Sequence, residues 1–202
     1  MKETVCSCEE LIPLSFPEEY STPKQANLVS SILEGSIWDI SCPSCKRLLK
    51  LEFEAVFHFP EWNLDIRFYP EESRNDFFIG KIKHSKSGRV CIGFPELVEK
   101  VKLASDELDD QIIEVMKYQF LQAKGFPENW KLYYSKFDQE SEKIYFWLEG
   151  IRPAELAQTS VPFTIYTKTK SEINSWLKKS EVKEFTTPPY VNVFQVAKEE
   201  ST

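Results

Sequence analysis

Cys42 and Cys45, separated by Pro43 and Ser44, form the most chemically defined stretch of the chain. A two-residue spacer lets both sulfurs reach one point from a tight turn. Cys6 and Cys8 make a second close pair near the start. Two pairs of thiolates are the donor set of a tetrahedral structural zinc site. The Cys42–Cys45 pair also admits a redox reading, but a redox thiolate is stabilised at a helix N-terminus, and the residues after Cys45 alternate as a strand does. Two buried, unligated cysteines are the third reading. Cys6-Ser7-Cys8 poses a geometric problem. In an extended strand one intervening residue sends the two sulfurs to opposite faces, so joint ligation needs a local kink.

The remaining reactive residues fit blander roles. Cys91 lies in a short apolar run and reads as a small buried residue. His58 closes an apolar strand, where a hydrogen-bonded structural role is the default and ligation is the alternative if the first cysteine pair fails. His84 sits in a Lys-rich polar turn and reads as solvated. Asp106, Glu107, Asp109 and Asp110 open a helix, where acidic side chains favour the dipole. There is no Gly-rich phosphate loop and no serine nucleophile motif.

The elements that must position these residues follow from patterning. Thr22-Pro23 predicts the start of a short helix carrying Leu28, Val29, Ile32 and Leu33, with Gly35 as its stop. Ile37, Trp38 and Ile40 lead as a strand into Cys42. Leu49 to Phe57 alternates as one half-buried strand, and Trp62 to Phe68 as a second, paired through a turn at Pro60. Phe77 to Ile82 and Arg89 to Ile92 are short strand expectations. Pro95 opens a helix with Leu97, Val98, Val101 and Ala104 on one face. Ser105 or Asp106 caps a second, with Leu108, Ile112, Val115, Met116 and Phe120, ended by Gly125. Leu132 to Phe137 and Lys143 to Leu148 read as a hairpin. Val161 to Tyr166 and Tyr190 to Val196 read as strands, and Ser171 as the cap of a short helix.

A chain of 202 residues, 42% hydrophobic and 14% aromatic, has material for a substantial core and does not depend on metal merely to fold. Its net charge of −7 weighs against non-specific binding to nucleic acid. No run approaches a membrane span. The first residues, Met1-Lys2-Glu3-Thr4-Val5, lack the apolar centre of an export signal, so the cysteines read as reduced cytoplasmic thiols or metal ligands.

The cysteine pairs and their surroundings resemble one family, the CpXC-domain proteins. The resemblance is carried by Leu33-Glu34-Gly35-Ser36-Ile37 leading to Cys42-Pro43-Ser44-Cys45, and by Phe57-His58. Further on, it is carried by Leu97-Val98-Glu99-Lys100, Leu108-Asp109-Asp110, Ile113-Glu114 and Lys117. Two positions depart from the family pattern: Cys6-Ser7-Cys8 replaces Cys-Pro-X-Cys, and Phe59 follows the histidine where an acidic residue is usual. The resemblance spans about residues 5–124 and implies a zinc-ribbon-like element without naming a substrate.

The expected fold is therefore α+β, with an N-terminal zinc-ribbon-like hairpin region, a central amphipathic helical pair and a strand-rich C-terminal part. The expected division is residues 1–125 and 126–202, the second packed on the first through a continuous core. The expected metal is structural zinc on Cys6, Cys8, Cys42 and Cys45. The expected function is non-catalytic: a zinc-stabilised binding or scaffold protein that contacts other proteins. The alternative is an enzyme whose pocket draws on distant residues such as His58, Asp109 and Glu114.

Overall fold

A computed structural model describes residues 2–83, 87–125, 127, 129–152 and 155–195, so His84 lies outside the described residues. The fold is α+β. Contacts divide the chain into two compact units, Met1–His84 with Cys91–Val98 and Ser85–Val90 with Glu99–Thr202. This division falls ahead of residue 125.

The first unit begins with β1 (Lys2–Val5) and β2 (Leu11–Leu14), an antiparallel pair with Val5 opposite Leu11. Then come β3 (Glu19–Ser21) and α1 (Leu28–Leu33). The helix starts at Asn27, not at Thr22-Pro23; Thr22 instead hydrogen-bonds the Glu61 carboxylate at 2.6 Å. Gly35 does end it, with φ of +73°. β4 (Asp39–Ser41) and β5 (Leu48–Lys50) form a second antiparallel hairpin.

β6 (Ala55–Phe59) and β7 (Leu64–Tyr69) pair antiparallel, as the sequence predicts, while β3 joins β6 in parallel. The expected single strand from Leu49 to Phe57 is thus two strands in two sheets. Residues 51–54 leave the ladder because Glu52 is needed elsewhere: its carboxylate accepts the amides of Glu71 at 2.9 Å and Phe94 at 3.1 Å. α2 (Arg74–Phe78) replaces the expected strand from Phe77, and β8 (Arg89–Ile92) forms where expected. The larger sheet has the order β3-β6-β7-β8. Its unit is filled by rings. Trp38, 2% exposed, packs against Phe53, Phe57, Phe68 and Phe94 and donates its indole N–H to Tyr20 Oη at 2.9 Å.

The unit boundary crosses β8 and the helix that follows, α3 (Phe94–Ser105). α4 (Asp110–Ala123) is capped by Asp109, whose carboxylate accepts the Gln111 amide at 2.9 Å; the cap is three residues later than Asp106. β9 (Lys131–Asp138), β10 (Lys143–Glu149) and β11 (Leu156–Pro162) make an antiparallel sheet in the order β11-β10-β9. α5 (Phe163–Trp176) and α6 (Ser180–Thr186) follow.

The expected strand at Val161–Tyr166 becomes helix after Pro162, since Phe163, Tyr166 and Ile173 pack at helical spacing on the core. Ser171 lies within α5 and bonds the Lys168 carbonyl at 2.7 Å. Ile112, Ile113 and Met116 of α4 share that core with Leu132, Tyr134, Ile144, Phe146 and Leu148 of the sheet. Val115, Tyr118 and Leu121 of α4 pack on Val182 and Phe185 of α6 and on Val193. Burial on these two flanks holds α4 to elements on the far side of residue 125. Tyr190–Gln195 forms no strand, and residue 196 lies outside the described residues.

Candidate metal centre

Each cysteine pair occupies the turn of one small hairpin. Cys6 follows β1, and its amide donates to the Glu10 carbonyl at 2.9 Å, while the Glu9 amide returns to the Cys6 carbonyl at 2.8 Å. Cys42 follows β4 in the same way. Its amide donates to Arg47 O at 2.9 Å, and the Lys46 amide returns to Cys42 O at 3.0 Å. In both turns the residue after the second cysteine is left-handed: Glu9 at φ +68° and Lys46 at φ +61°. The first turn is the second one shortened by a residue.

This resolves the spacing problem. Cys8 is not on a strand, because β1 ends at Val5. The turn bends the chain between the cysteines, and the amides of Cys8 and Glu10 reach the sulfurs of Cys6 and Cys8. The required kink is therefore present, with Glu9 in a conformation usually reserved for glycine or asparagine. No glycine marks it, so the sequence carries no signal of it.

The four sulfurs lie within 4.8 Å of one another. Cys6 and Cys45 Sγ are 3.6 Å apart, as are Cys8 and Cys42 Sγ. A tetrahedral ion with sulfur ligands at about 2.3 Å sets its sulfurs about 3.8 Å apart, so the spacing fits. The knuckles also hold each other. Ser44 Oγ donates to Glu10 Oε2 at 2.8 Å, and the Arg47 guanidinium donates to Ser7 Oγ. Cys6 and Cys42 are buried against Ile12, Ile40 and Leu49, whereas Cys8 and Cys45 are exposed.

Without a cation, sulfurs this close cannot ionise together. The Cys8 amide, the strongest influence on Cys6, draws its thiol down to about 6. The Glu10 amide also lowers Cys8, but the neighbouring sulfurs, Cys45 foremost, and desolvation push it up to about 12. A divalent cation removes that conflict, and Lys46 and Arg47 add positive charge beside the anionic shell.

A family model described as CpXC protein matches residues 4–117, more than half of the chain. The chain belongs to the CpXC family. The match takes in both knuckles and closes at Lys117. An uncharacterized protein of Treponema pallidum (strain Nichols) is 23% identical over 194 aligned residues, covering 85% of this chain and 88% of its own length. No solved structure matches.

The other expected site residues of this CpXC protein stand elsewhere. His58 Nδ1 is 2.7 Å from Asp65 Oδ1, its cross-strand neighbour, and among the described residues the donor cluster holds cysteines alone. Cys91 is buried with its sulfur toward the Glu96 carbonyl at 3.6 Å. Of the acidic group, Asp109 caps α4, Asp106 accepts the Tyr134 hydroxyl, and Asp110 meets Arg89 at 2.7 Å and Lys100 at 2.9 Å. The dipole argument therefore misses the ion pairs of Asp110.

A second polar centre escaped the sequence reading. Lys117 is fully buried between Glu99 at 2.6 Å and Glu114 at 2.8 Å. Glu99 also accepts the Tyr134 amide, and Glu114 Oε2 accepts the Val193 amide at 2.8 Å. Lys100, 4% exposed, reaches Val191 O at 2.8 Å. These charges bind the chain around Val191–Val193 to α3 and α4. Burial, the largest influence, raises the Glu99 pKa toward a neutral acid. Burial alone would lower Lys117, but Glu114 and Glu99 raise it, so the ammonium persists. The ammonium is thus held between two carboxyl groups, and burial pushes that of Glu99 toward its neutral form. The only sequence signal of this triad was charge at the quoted family positions, and charge at i, i+3 on a helix normally marks a solvated face.

Proposed function

We infer that this CpXC protein holds structural zinc on Cys6, Cys8, Cys42 and Cys45 and acts as a non-catalytic, zinc-stabilised scaffold for protein partners in a reducing, cytoplasmic setting. The observation that carries this is the convergence of four sulfurs, and among the described residues of no other donor type, within 4.8 Å. Softness favours zinc among common divalent ions for such a set. Four thiolates fill a tetrahedral shell and leave no position for water, whereas catalytic zinc keeps one open. Enzyme roles for the three distant residues find less support, since His58, Asp109 and Glu114 each serve a local bond: His58 to Asp65, Asp109 to the Gln111 amide, Glu114 to Lys117 and Val193.

A protein partner suits the surface of the ribbon. Val5 and Leu11 face each other across β1 and β2 with 60% and 54% exposure, an apolar pair next to the first knuckle. Elemental analysis of chain purified without chelator or oxidant tests the metal. One zinc per chain is the expected result, and a metal-free chain with four free thiols, or one with another metal, overturns the reading. Affinity capture with wild type and a Val5→Asp, Leu11→Asp variant tests the partner; equal capture by both would remove this surface.

A further inference from the structure

The four sulfurs are not equivalent to a reagent arriving from solvent. Cys8 and Cys45 are exposed, and Cys6 and Cys42 are buried. Each of the two sulfur pairs at 3.6 Å joins one exposed and one buried atom, and each joins the two knuckles: Cys8 with Cys42, and Cys45 with Cys6. A link inside the first knuckle is disfavoured by its turn. Bonding Cys6 to Cys8 would have to dislodge the amide bonds that Cys8 and Glu10 make to those same sulfurs.

We propose that this centre is also an oxidation site, in which a hydroperoxide attacks at Cys8 and Cys45 and the buried sulfur of the opposite knuckle closes each disulfide. The inference rests on the zinc reading above and adds a second, covalent way of closing the same ribbon. In the first step an exposed thiolate attacks the terminal oxygen of the hydroperoxide. A sulfur–oxygen bond forms, the oxygen–oxygen bond breaks, and the departing alkoxide or hydroxide takes a proton from solvent. In the second step the buried thiolate attacks the resulting sulfenic acid. The sulfur–sulfur bond forms, and hydroxide leaves and is protonated to water. Each disulfide thus consumes two thiolates, one hydroperoxide and two protons, with two electrons passing from sulfur to peroxide oxygen. Zinc, stripped of thiolate donors, leaves as the aquo ion.

With all four sulfurs held as thiolates by the ion, exposure sets the order of events: the accessible sulfur is the one oxidised and the shielded one resolves it before a second peroxide arrives. The cross-knuckle bonds from Ser44 to Glu10 and from Arg47 to Ser7 keep the pairs in register while this happens. The oxidised ribbon therefore keeps Cys6 tied to Cys45 and Cys8 tied to Cys42, and the two hairpins stay together without the ion.

The test uses the full chain loaded with zinc and titrated with hydrogen peroxide. Zinc release is followed with a chromogenic chelator, and the disulfides are located by peptide mapping with electron-transfer fragmentation. The expected result is release of zinc with two peroxides consumed per ion and disulfides at Cys6–Cys45 and Cys8–Cys42. Cys8→Ser, oxidised in the same way, is expected to show the Cys6–Cys45 link alone. Disulfides within a pair, sulfinic or sulfonic acids in place of disulfides, or zinc retained in excess peroxide would each overturn the proposal. A chain that takes up no zinc sinks the metal reading alone; the mapping, repeated on the reduced metal-free chain, still decides the cross-knuckle pairing.

Discussion

The two polar centres of this chain solve opposite problems. In the ribbon, donors sit on short hairpins with little apolar cover: among the described residues Cys6, Ile12 and Cys42 make its buried cluster, with Ile40 and Leu49 packed against them. In the second unit, charged groups are enclosed by a core that includes Ile112, Ile113, Met116, Tyr134 and Phe146. The ribbon has converging donors with little burial, so on the proposed reading its closure depends on a ligand. The Glu99–Lys117–Glu114 triad is closed off by burial, so its charges must satisfy one another. The lesson is that polar residues hold a fold together in two ways, by gathering an ion or by being sealed in complementary pairs. Only the first depends on an ion supplied from outside the chain.

The largest effect is expected where a sealed charge loses its partner. Lys117→Met leaves Glu114 buried as an uncompensated anion and should cost about 3–5 kcal/mol in chemical denaturation. Adding Glu114→Gln removes that anion and keeps an acceptor for the Val193 amide, so the double variant should recover part of the loss. If Lys117→Met alone unfolds with the wild-type midpoint, the triad contributes nothing and the contrast with the ribbon fails.

The ribbon should break differently. Cys42→Ser or Cys45→Ser should abolish stoichiometric zinc, and Cys91→Ser, outside the cluster, should leave it intact. Amide exchange should rise in β1, β2, β4 and β5 and stay unchanged in α4, whose Ile112, Ile113, Val115 and Met116 pack within the second unit. Loss of protection throughout the chain would show that the metal supports more than its own hairpins.

How much of this was legible follows the same divide. Cys42-Pro43-Ser44-Cys45 could be read because a two-residue spacer at a strand end has few geometric outcomes. The alternations at β6 and β10 were read for the same reason, each having one buried face. The bend at Glu9 was invisible because a glutamate at φ +68° has no compositional mark. The break at residues 51–54 was invisible too, since period-two alternation runs on while Glu52 turns to the amides of Glu71 and Phe94. Val191 and Val193 are buried, but so is Asn192 between them, and no ladder forms there. The backbone bonds they might have made to a strand go to Lys100 and Glu114 side chains instead. Buried charge is what sequence periodicity misses, because the pattern assigns charge to solvent.

A smaller effect separates the charged pair at Asp110 from the sulfur site. Burial would raise the Asp110 pKa, but Lys100 and Arg89 override it and hold the carboxyl well below the usual carboxylate range. A depressed folded-state pKa contributes stability above the unfolded value and loses it as pH falls. This contribution should therefore be complete above about pH 5 and decline below about pH 4. Asp110→Asn should lower stability near neutrality by about 1–3 kcal/mol and flatten the acid decline. An equal acid slope in wild type and variant would assign the acid sensitivity to other carboxylates.

The smallest effect sharpens the comparison at a single backbone angle. Glu9 occupies a left-handed conformation at φ +68° between two amides that address the cysteine sulfurs. Holding a residue with a Cβ there costs about 1–2 kcal/mol. Glycine removes that strain but brings more freedom to the unfolded chain, which returns roughly 0.5–1 kcal/mol of it. Glu9→Gly should thus tighten zinc by a small margin, roughly 0–1.5 kcal/mol or about tenfold at most. Glu9→Ile should loosen it, since a β-branched residue fits this region worst. Lys46, at φ +61°, is the matching position, but its ammonium also reaches the Pro43 carbonyl at 2.8 Å. Lys46→Gly therefore loses a bond as it relieves strain and should change affinity less than Glu9→Gly. Competition with a chelator of known affinity reads all three variants. An isoleucine at position 9 that binds zinc as well as glycine does would mean that the shortened knuckle does not depend on this angle.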